Sequence, residues 1–214
     1  MINAFIVSLF LFIGCDDPTA GAPSAEVRPT AEPAAAEPVT EPAAEPTAAD
    51  EPAAAVLKGD NTTGSIGFVG AKVTKSQEGG FESFTVSGSV TDGQLTGIEG
   101  SIDMASTTSD STKLTSHLKS ADFFDVEQFT TATFKSSSIS ANEDGSHTVT
   151  GTLDFHGVQK EVSFPATITV ADGSASLKAE FALNRKEFGV EYPGRPDDLI
   201  RDDVLIKLDF NLKG

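Results

Sequence analysis

The sequence has little of several residue types, and each shortage limits what the protein can do. Among 214 residues there is no tryptophan, one tyrosine and one cysteine, Cys15. An internal disulfide is therefore excluded, and so is a thiol site anywhere else in the chain. Positive charge is also scarce, because 15 Lys and Arg residues face 32 Asp and Glu residues. This balance argues against nucleic acid as a partner, since binding phosphates requires a basic surface.

The first 15 residues, MINAFIVSLFLFIGC, form an apolar run that is short for a membrane-spanning helix. The turn-forming sequence DDPTAGAP follows at once, as is typical of an export signal. The ending Phe-Ile-Gly-Cys resembles the bacterial lipobox, although Phe12 replaces the usual leucine and no Lys or Arg precedes the run. We therefore predict an exported lipoprotein of the periplasm or cell envelope, anchored to a membrane through Cys15. The alternative is a soluble protein with an incidental cysteine in a discarded signal.

Residues 16–60 differ in composition from everything that follows. They hold eight of the eleven prolines and fourteen alanines, with repeated Glu-Pro pairs. Such a segment has too little apolar surface for a core, and its acidic side chains repel one another. We predict a disordered linker over residues 16–60, which would act as a tether, and a folded domain over residues 61–214.

The domain alternates apolar and polar residues with a period of two, which indicates β-strands with one buried face. HTVTGTLDF and KEVSFPATITV show the pattern, as do SLKAEFALN and DVLIKLDFNL near the C-terminus. Turn sequences such as TDG, NEDG and HG separate about eight such strands. The strands would stack as a sandwich or close into a barrel, and closure removes the exposed edges.

Only residues 109–129 interrupt this pattern. Leu114, His117 and Leu118 have helical spacing, and Asp110 or Ser111 could cap a short helix. We predict a second helical turn from Asp122, with one shared side formed by Phe123, Val126 and Phe129. The adjacent Phe123 and Phe124 would then either plug the end of the strand layer as ordinary core or roof a cavity.

Three separated motifs resemble the YceI-like family. They are HLKSADFFDVEQFTTATFKSS, GTLDFHGVQKEVSFPA and FALNRKEFGVEYPGRPDDLIRDDVLIKL, and the resemblance covers about residues 62–213. It implies an all-β fold, a lipocalin-like eight-stranded antiparallel β-barrel with a short helical insertion that holds a long isoprenoid-type lipid. Leu114-Thr115 replaces an Arg-Asp pair found in many members, and TTGSIGFVGAKV lacks their His-Ser. These departures bear on the identity of the lipid.

The physics agrees with a lipid site, because an eight-stranded barrel is wide enough for side chains or one slender ligand. Phenylalanines dominate the apolar faces, and they offer apolar area without polar atoms that need partners. The predicted lining and lid residues are Phe68, Phe84, Leu118, Phe123, Phe124, Phe134, Phe155, Phe164 and Phe181. The alternative is that these side chains fill the interior of a structural or adhesive β-domain.

Two polar residues are candidates for contact with a ligand head group. His117 could make such a contact or pack within the helix, and Arg185 could bind an acidic group or bridge to a neighbouring Asp. The acids of RPDDLIRDD do not fit an EF-hand, so we predict a surface loop of salt links there.

Catalytic motifs are missing from the sequence. No Gly-x-Ser-x-Gly occurs, and the three histidines have no metal-ligand spacing. We predict a binding protein that is not an enzyme, with no catalytic residues, metal or cofactor besides the lipid. Whether the chain forms a homodimer is left open by the sequence.

Overall fold

The computed structural model describes residues 17–30, 55–171 and 173–214. Within them lie fourteen strands, one α-helix and two 3-10 helices. The strands are β1 Glu26–Pro29, β2 Ala55–Asp60, β3 Gly64–Ala71, β4 Ser76–Phe81, β5 Phe84–Thr91, β6 Gln94–Asp103, β7 Thr107–Ser109, β8 Thr131–Ala141, β9 His147–Phe155, β10 Val158–Ala171, β11 Ser174–Asn184, β12 Gly194–Arg195, β13 Asp198–Leu199 and β14 Asp203–Lys213. Helix α1 spans Thr112–Leu118, and the 3-10 helices span Met104–Ser106 and Arg185–Phe188. No helix among the described residues has the length and apolar character needed to cross a bilayer.

Eight strands close into an antiparallel barrel in the order β2, β5, β6, β8, β9, β10, β11 and β14. β14 returns to β2 through the pairing of Lys213 with Lys58, which completes the circle. The predicted all-β barrel with one short helix is confirmed, and the sandwich alternative for the strand layers is excluded. The predicted hairpin turn at HG is also present, since His156 and Gly157 both have positive φ.

Three short strands extend one end of the barrel. β3 pairs with β14 over Leu205–Phe210, β4 pairs with β3, and β7 pairs with β4. β2 and β3 run antiparallel to the same strand β14, with only the turn at residues 61–63 between them. We call the end that carries β3, β4 and β7 the lid end, because α1 and residues 119–130 lie there.

An N-terminal strap, defined here as residues 17–30, occupies a gap between two barrel strands. β10 pairs with β11 only over residues 167–171, so the two strands separate towards the lid end. β1 pairs with the free edge of β10, from Glu26 opposite Ser163 to Pro29 opposite Lys160. On the other side, the Ala25 N–H donates to the Ala182 carbonyl at 2.8 Å, and the Ala182 N–H donates to the Pro23 carbonyl at 2.9 Å. The strap thus bridges both open edges.

In two stretches the structure differs from the predicted linker of residues 16–60. Residues 17–30 form the strap, and β2 begins at Ala55, so the domain starts before residue 61. The strap has no core of its own. Ala25 and Val27 instead pack against the barrel interior, and strands β10 and β11 supply the hydrogen-bond partners that local composition could not reveal. The predicted signal segment, Cys15 and residues 31–54 lie outside the described residues.

The barrel core is the cluster of buried side chains inside the closed strands. Alternate residues of each strand point inward as predicted, and the side chains of Val149, Leu177 and Leu212 are almost wholly buried. Phe164 stacks on Phe181 with the ring centroids 4.4 Å apart. Burial of a large apolar side chain stabilises the fold by about 1.5–3 kcal/mol, so this cluster is the main source of stability.

Candidate apolar binding site

The lid segment, residues 111–130, begins with α1. Ser111 is the N-cap residue, as predicted, but its side chain makes no capping hydrogen bond. The first turn is tied down instead by Thr115, whose hydroxyl accepts from the Ser109 N–H at 3.0 Å. Leu118 is buried, and Leu114 packs beside it, so the helical spacing correctly predicted the buried face.

The second helical turn predicted from Asp122 is wrong. Residues 121–128 form successive turns, and Asp125 has a φ of 42°, which a right-handed helix does not allow. The Phe124 N–H donates to the Leu118 carbonyl at 3.0 Å, and the Phe129 N–H donates to the Asp125 carbonyl at 2.8 Å. Phe123, Val126 and Phe129 therefore do not share one side, and Phe129 packs instead on His156.

The two adjacent phenylalanines have different partners. Phe123 is buried and contacts Tyr192, with the ring centroids 5.1 Å apart. Phe124 is only half-buried, and its ring meets those of Phe68 at 6.0 Å and Phe155 at 5.7 Å, both nearly edge-on. Phe123 thus fixes the lid, whereas Phe124 reaches into the mouth of the barrel.

We call the apolar group under the lid the lid cluster. Its buried members are Leu118, Phe123 and Val190, and its partly buried members are Phe68, Leu114, Phe124, Phe155, Tyr192 and Ile200. Phe155 also packs against the barrel core and lies 5.8 Å from Phe188. One ring therefore joins the two clusters, and an apolar path of side chains runs from the lid into the barrel.

The structure divides the nine predicted lining and lid residues between these two clusters. Phe84, Phe164 and Phe181 are buried in the barrel core, and Phe134 packs against it at 5.7 Å from Phe164. The other five, namely Phe68, Leu118, Phe123, Phe124 and Phe155, are members of the lid cluster.

His117 lies at the outer side of the lid. Its Nε2 is 2.8 Å from an Asp122 carboxylate oxygen, and its ring meets those of Phe123 and Tyr192 edge-on at 4.9 and 5.0 Å. The side chain keeps 38% of its surface exposed. It is therefore packed against the lid and still accessible to a polar group from outside.

Arg185 has a structural environment. Its Nη1 donates to the Val190 carbonyl at 2.6 Å and its Nε to the Arg201 carbonyl at 3.1 Å. Nη2 lies 3.5 Å from the Asp202 carboxylate, so the predicted bridge to a neighbouring Asp is present. Burial lowers the pKa of the guanidinium, and the Asp202 charge opposes that effect. With its donors engaged, Arg185 holds Val190 beneath the lid.

Sequence reasoning missed part of the site. Val190 and Tyr192 lie outside the strands, and Phe81 ends β4 beside Phe68 at 5.7 Å. The sequence EFGVEYPG offered one usable signal, because its apolar residues alternate although its Gly and Pro suggest only a loop. Only the closure of the barrel brings these residues beneath α1.

The acidic loop before β14 is salt-linked, as predicted. Asp198 accepts from Lys72 and Thr74, and Asp202 pairs with Lys186 at 2.9 Å. Burial alone would raise the pKa of Asp198, but the hydrogen bonds from Thr74 and Lys72 bring it below its usual value. No cluster of three His, Cys, Asp or Glu side chains suited to a metal occurs in the described part of the chain.

One open depression, of about 710 Å³, lies on the outer face of the barrel. Its rim includes the exposed ion pair of Lys135 and Glu99, with a separation of 2.7 Å. It is open to solvent, and all of its lining residues except Val86 and Phe134 are polar, charged or glycine, so it does not enclose an apolar molecule. The lid cluster is therefore the better candidate site.

The fold and site together define a lipocalin-like barrel with an apolar interior under a helical lid. A family model described as a YceI-like domain matches residues 58–212. The chain therefore belongs to the YceI-like family.

Known relatives support this placement. A UPF0312 protein of Pseudomonas putida is 35% identical over 98 residues, which cover 42% of this chain and 50% of the relative. A UPF0312 protein of Vibrio cholerae is 33% identical over 99 residues, covering 44% and 52%. The chain thus spans about half the length of the curated relatives it matches.

Solved structures share the fold. BcnA of Burkholderia cenocepacia has a TM-score of 0.65 at 22% identity and covers 72% of this chain and 99% of its own. A structure described as a polyisoprenoid-binding domain from Saccharophagus degradans, implicated in plant cell wall breakdown, has a TM-score of 0.59 at 13% identity. It covers 76% of this chain and 99% of its own. At these identities the similarity concerns the fold alone.

Proposed function

We propose that this domain binds a long apolar lipid of the isoprenoid type beneath its lid. The observation that carries the proposal is the apolar path from the lid cluster through Phe155 into the barrel core. The structural neighbour described as polyisoprenoid-binding supports the same ligand class. Membership of the YceI-like family supports it as well.

The lid cluster is the part of this path that can open at the lower cost. Phe68 and Phe124 are half-buried and meet at 6.0 Å, whereas Phe164 and Phe181 in the barrel core are stacked at 4.4 Å. Phe124 is carried by a turn and not by a paired strand. A slender chain would therefore part Phe124 from Phe68 and Phe155, and replace ring contacts with lipid contacts.

Such a binding site would serve the transport or storage of the lipid. Exposing a hydrocarbon tail to water costs about 0.8 kcal/mol per CH2 group, so a long isoprenoid does not leave a bilayer unaided. A barrel interior is as dry as the bilayer, so the exchange between them is nearly balanced. We propose an exported carrier that acts beside a membrane, with Cys15 as its lipid anchor.

His117 is our proposed head-group contact. It lies at the outer edge of the lid with 38% of its side chain exposed, and its partner Asp122 is exposed. A hydroxyl or phosphate head group at the lid could accept from or donate to the imidazole. Arg185 is assigned to holding Val190 instead, since its Nε and Nη1 already donate to backbone carbonyls and its Nη2 faces Asp202.

The second candidate is a structural or adhesive β-domain. It is favoured by the density of the barrel core, where rings and aliphatic side chains contact one another across the interior. In that case Phe124 would fill the mouth of the barrel and no lipid would enter.

Lipid extraction separates the two functions. The full chain is purified from membranes in mild detergent, and the bound lipid is identified by mass spectrometry. We expect a stoichiometric long-chain isoprenoid with the unmodified chain. The Phe124→Ala variant should retain at most one tenth of that amount of lipid.

Phe129→Ala is the matched control, because Phe129 belongs to the same segment but packs on His156 outside the lid cluster. It should keep the lipid. Absence of any apolar lipid from the unmodified chain, under conditions that retain lipid in a known carrier, would favour the structural domain.

We also propose that the domain is not an enzyme. The polar side chains nearest the lid cluster, His117 and Arg185, are joined to Asp122 and Asp202 and lie beside aromatic or carbonyl groups. Neither has a nucleophilic partner in these contacts. We expect that the bound lipid is recovered chemically unchanged after prolonged incubation with the domain.

A further inference from the structure

Two large apolar side chains are exposed together at the lid end. Val73, in the turn between β3 and β4, is 57% exposed, and Leu199, at the end of β13, is 50% exposed. They are neighbours, because the Val73 N–H donates to the Leu199 carbonyl at 3.2 Å. The third exposed large apolar side chain among the described residues, Val56, is 56% exposed and lies in β2 at the opposite end.

The pair lies on a platform, which we define as the turn of residues 72–75 and the β12–β13 hairpin. Lys72 pairs with Ile200 in an isolated β-bridge, and the Lys72 and Thr74 side chains both reach the Asp198 carboxylate, at 3.3 and 3.0 Å. The turn and the β12–β13 hairpin are thus tied together on both sides of the apolar pair. The pair is therefore exposed on an ordered backbone and not on a loose loop.

The N-terminal strap begins beside this platform. The Asp17 carboxylate pairs with Arg201 at 2.6 Å, and the Arg201 N–H donates to the Ala71 carbonyl at 2.8 Å. Ala71 and Arg201 are each two residues from Val73 and Leu199, respectively. Whatever precedes Asp17 therefore leaves the domain close to the apolar pair.

The preceding sequence suits a lipid surface. One residue separates Asp17 from Cys15, the end of the apolar run of residues 1–15. An anchor at either place cannot be more than a few residues from the platform, since a residue spans at most about 3.6 Å. The long tether expected from residues 16–60 does not intervene, because the strap and β2 both belong to the domain.

We propose that the lid end docks on the bilayer, with Val73 and Leu199 entering its interfacial layer. Lys75, in the same turn as Val73, and Arg195, in the same hairpin as Leu199, are exposed and can meet anionic head groups. The lid then faces the membrane. This orientation rests on the proposed membrane anchor and not on whether the barrel holds a lipid.

The absence of tryptophan makes a direct test simple, since one introduced tryptophan is the only indole in the chain. The full chain is reconstituted into vesicles of phosphatidylcholine and phosphatidylglycerol with brominated acyl chains, which quench tryptophan on contact. Val73→Trp and Leu199→Trp should emit at shorter wavelength and lose more than half of their intensity. Val56→Trp, with the same original exposure, should change little.

A second substitution checks that the apolar contact itself holds the lid down. Adding Val73→Asp to the Leu199→Trp chain should reduce quenching at least twofold, whereas adding Val56→Asp should not. Equal quenching at the two ends, or none at Val73→Trp, overturns the docking. A blue shift that depends on protein concentration, without quenching by brominated lipid, would show that a second copy of the chain binds this surface. That result would also overturn the docking on the bilayer.

The outcome is independent of the extraction experiment on the barrel. A chain without bound isoprenoid can still show quenching at Val73→Trp, and a chain with bound lipid can fail to show it. Circular dichroism on each variant confirms the fold, which we expect to persist because all three positions are exposed.

Discussion

The barrel core and the lid cluster each contain several phenylalanines, but they differ in how the rings are held. Phe164 and Phe181 project from paired strands, are 6% and 4% exposed, and stack face to face. Phe68 and Phe124 are half-buried and meet edge-on. The comparison teaches that the same residue type serves cohesion where paired strands carry both rings, and adaptability where a turn carries one of them, Phe124.

The backbone explains the difference. In the barrel core, Phe164 and Phe181 project from long strand ladders, in which β10 pairs with β9 and β11 pairs with β14. In the lid, residues 119–130 rely on local bonds such as Phe123 N–H to the Ser120 carbonyl, and on the positive φ of Asp125. Segments with few long-range hydrogen bonds open at lower free energy.

The largest expected effect is the loss of a ring from the barrel core. Phe181→Ala removes one partner of the stacked pair and leaves a cavity, so the free energy of unfolding should fall by about 3–5 kcal/mol. Phe124→Ala in the lid cluster should cost clearly less, because its ring is only partly buried. Urea denaturation of both variants measures the contrast, and equal losses would mean that the lid is as rigid as the barrel.

Arg185→Met should destabilise the region beneath the lid. It leaves the Val190 and Arg201 carbonyls without their buried donor, which costs about 1–3 kcal/mol. Lys186→Met, which removes an exposed partner of Asp202, is the control and should be nearly neutral. Hydrogen exchange should show faster opening in residues 185–202 only in the first variant. Faster exchange throughout β9 instead would place Arg185 in the barrel core.

Val27→Asp tests whether the strap is part of the barrel wall. Val27 packs against the barrel core, so a carboxylate there should loosen the strap at a cost of about 1–3 kcal/mol. Glu26→Gln, on the exposed face of β1, is the matched control. The amides on the strap side of β10 should lose protection only in the first variant. Unchanged protection would mean that β10 needs no cover at this edge.

The smallest expected effect is the pH dependence of the strap. Hydrogen bonds from Thr19, and then the charge of Arg201, hold the pKa of Asp17 below its usual value of 3.8. The contact therefore stabilises the strap fully above about pH 4 and is lost as the pH falls through the lowered pKa. Protection factors of residues 18–25, relative to those of β9, should fall only below that pH. In Asp17→Asn this step should vanish, and a step near neutral pH would implicate another group.

The sequence predicted the closed parts of the molecule well, because strand alternation reports directly which side chains face inward. Val149, Val162, Phe164 and Leu177 were all placed correctly by their period of two. The same rule failed for Leu205, which is buried at the opposite face of β14 from Phe210. Leu205 pairs with Ala182 and Val69. Its burial depends on the covering of the outer face near the strap, which periodicity does not include.

The strap and the second lid turn could not be predicted for a common reason. Residues 17–30 have the composition of a linker, and Asp122 has the spacing of a helix cap. In each case long-range partners decide the conformation: the free edges of β10 and β11 for the strap, and Phe68 and Phe155 for Phe124. Local preference is a weak guide where tertiary contacts supply the hydrogen bonds.

The wedged position of β1 between two strands has a consequence for processing. A protease that cuts anywhere between Thr30 and Ala55 would sever the chain while leaving both fragments in one particle, because β1 stays paired with β10 and Asp17 stays paired with Arg201. The nicked protein would keep the proposed anchor at Cys15. The two pieces, produced separately, should find each other as a split protein does.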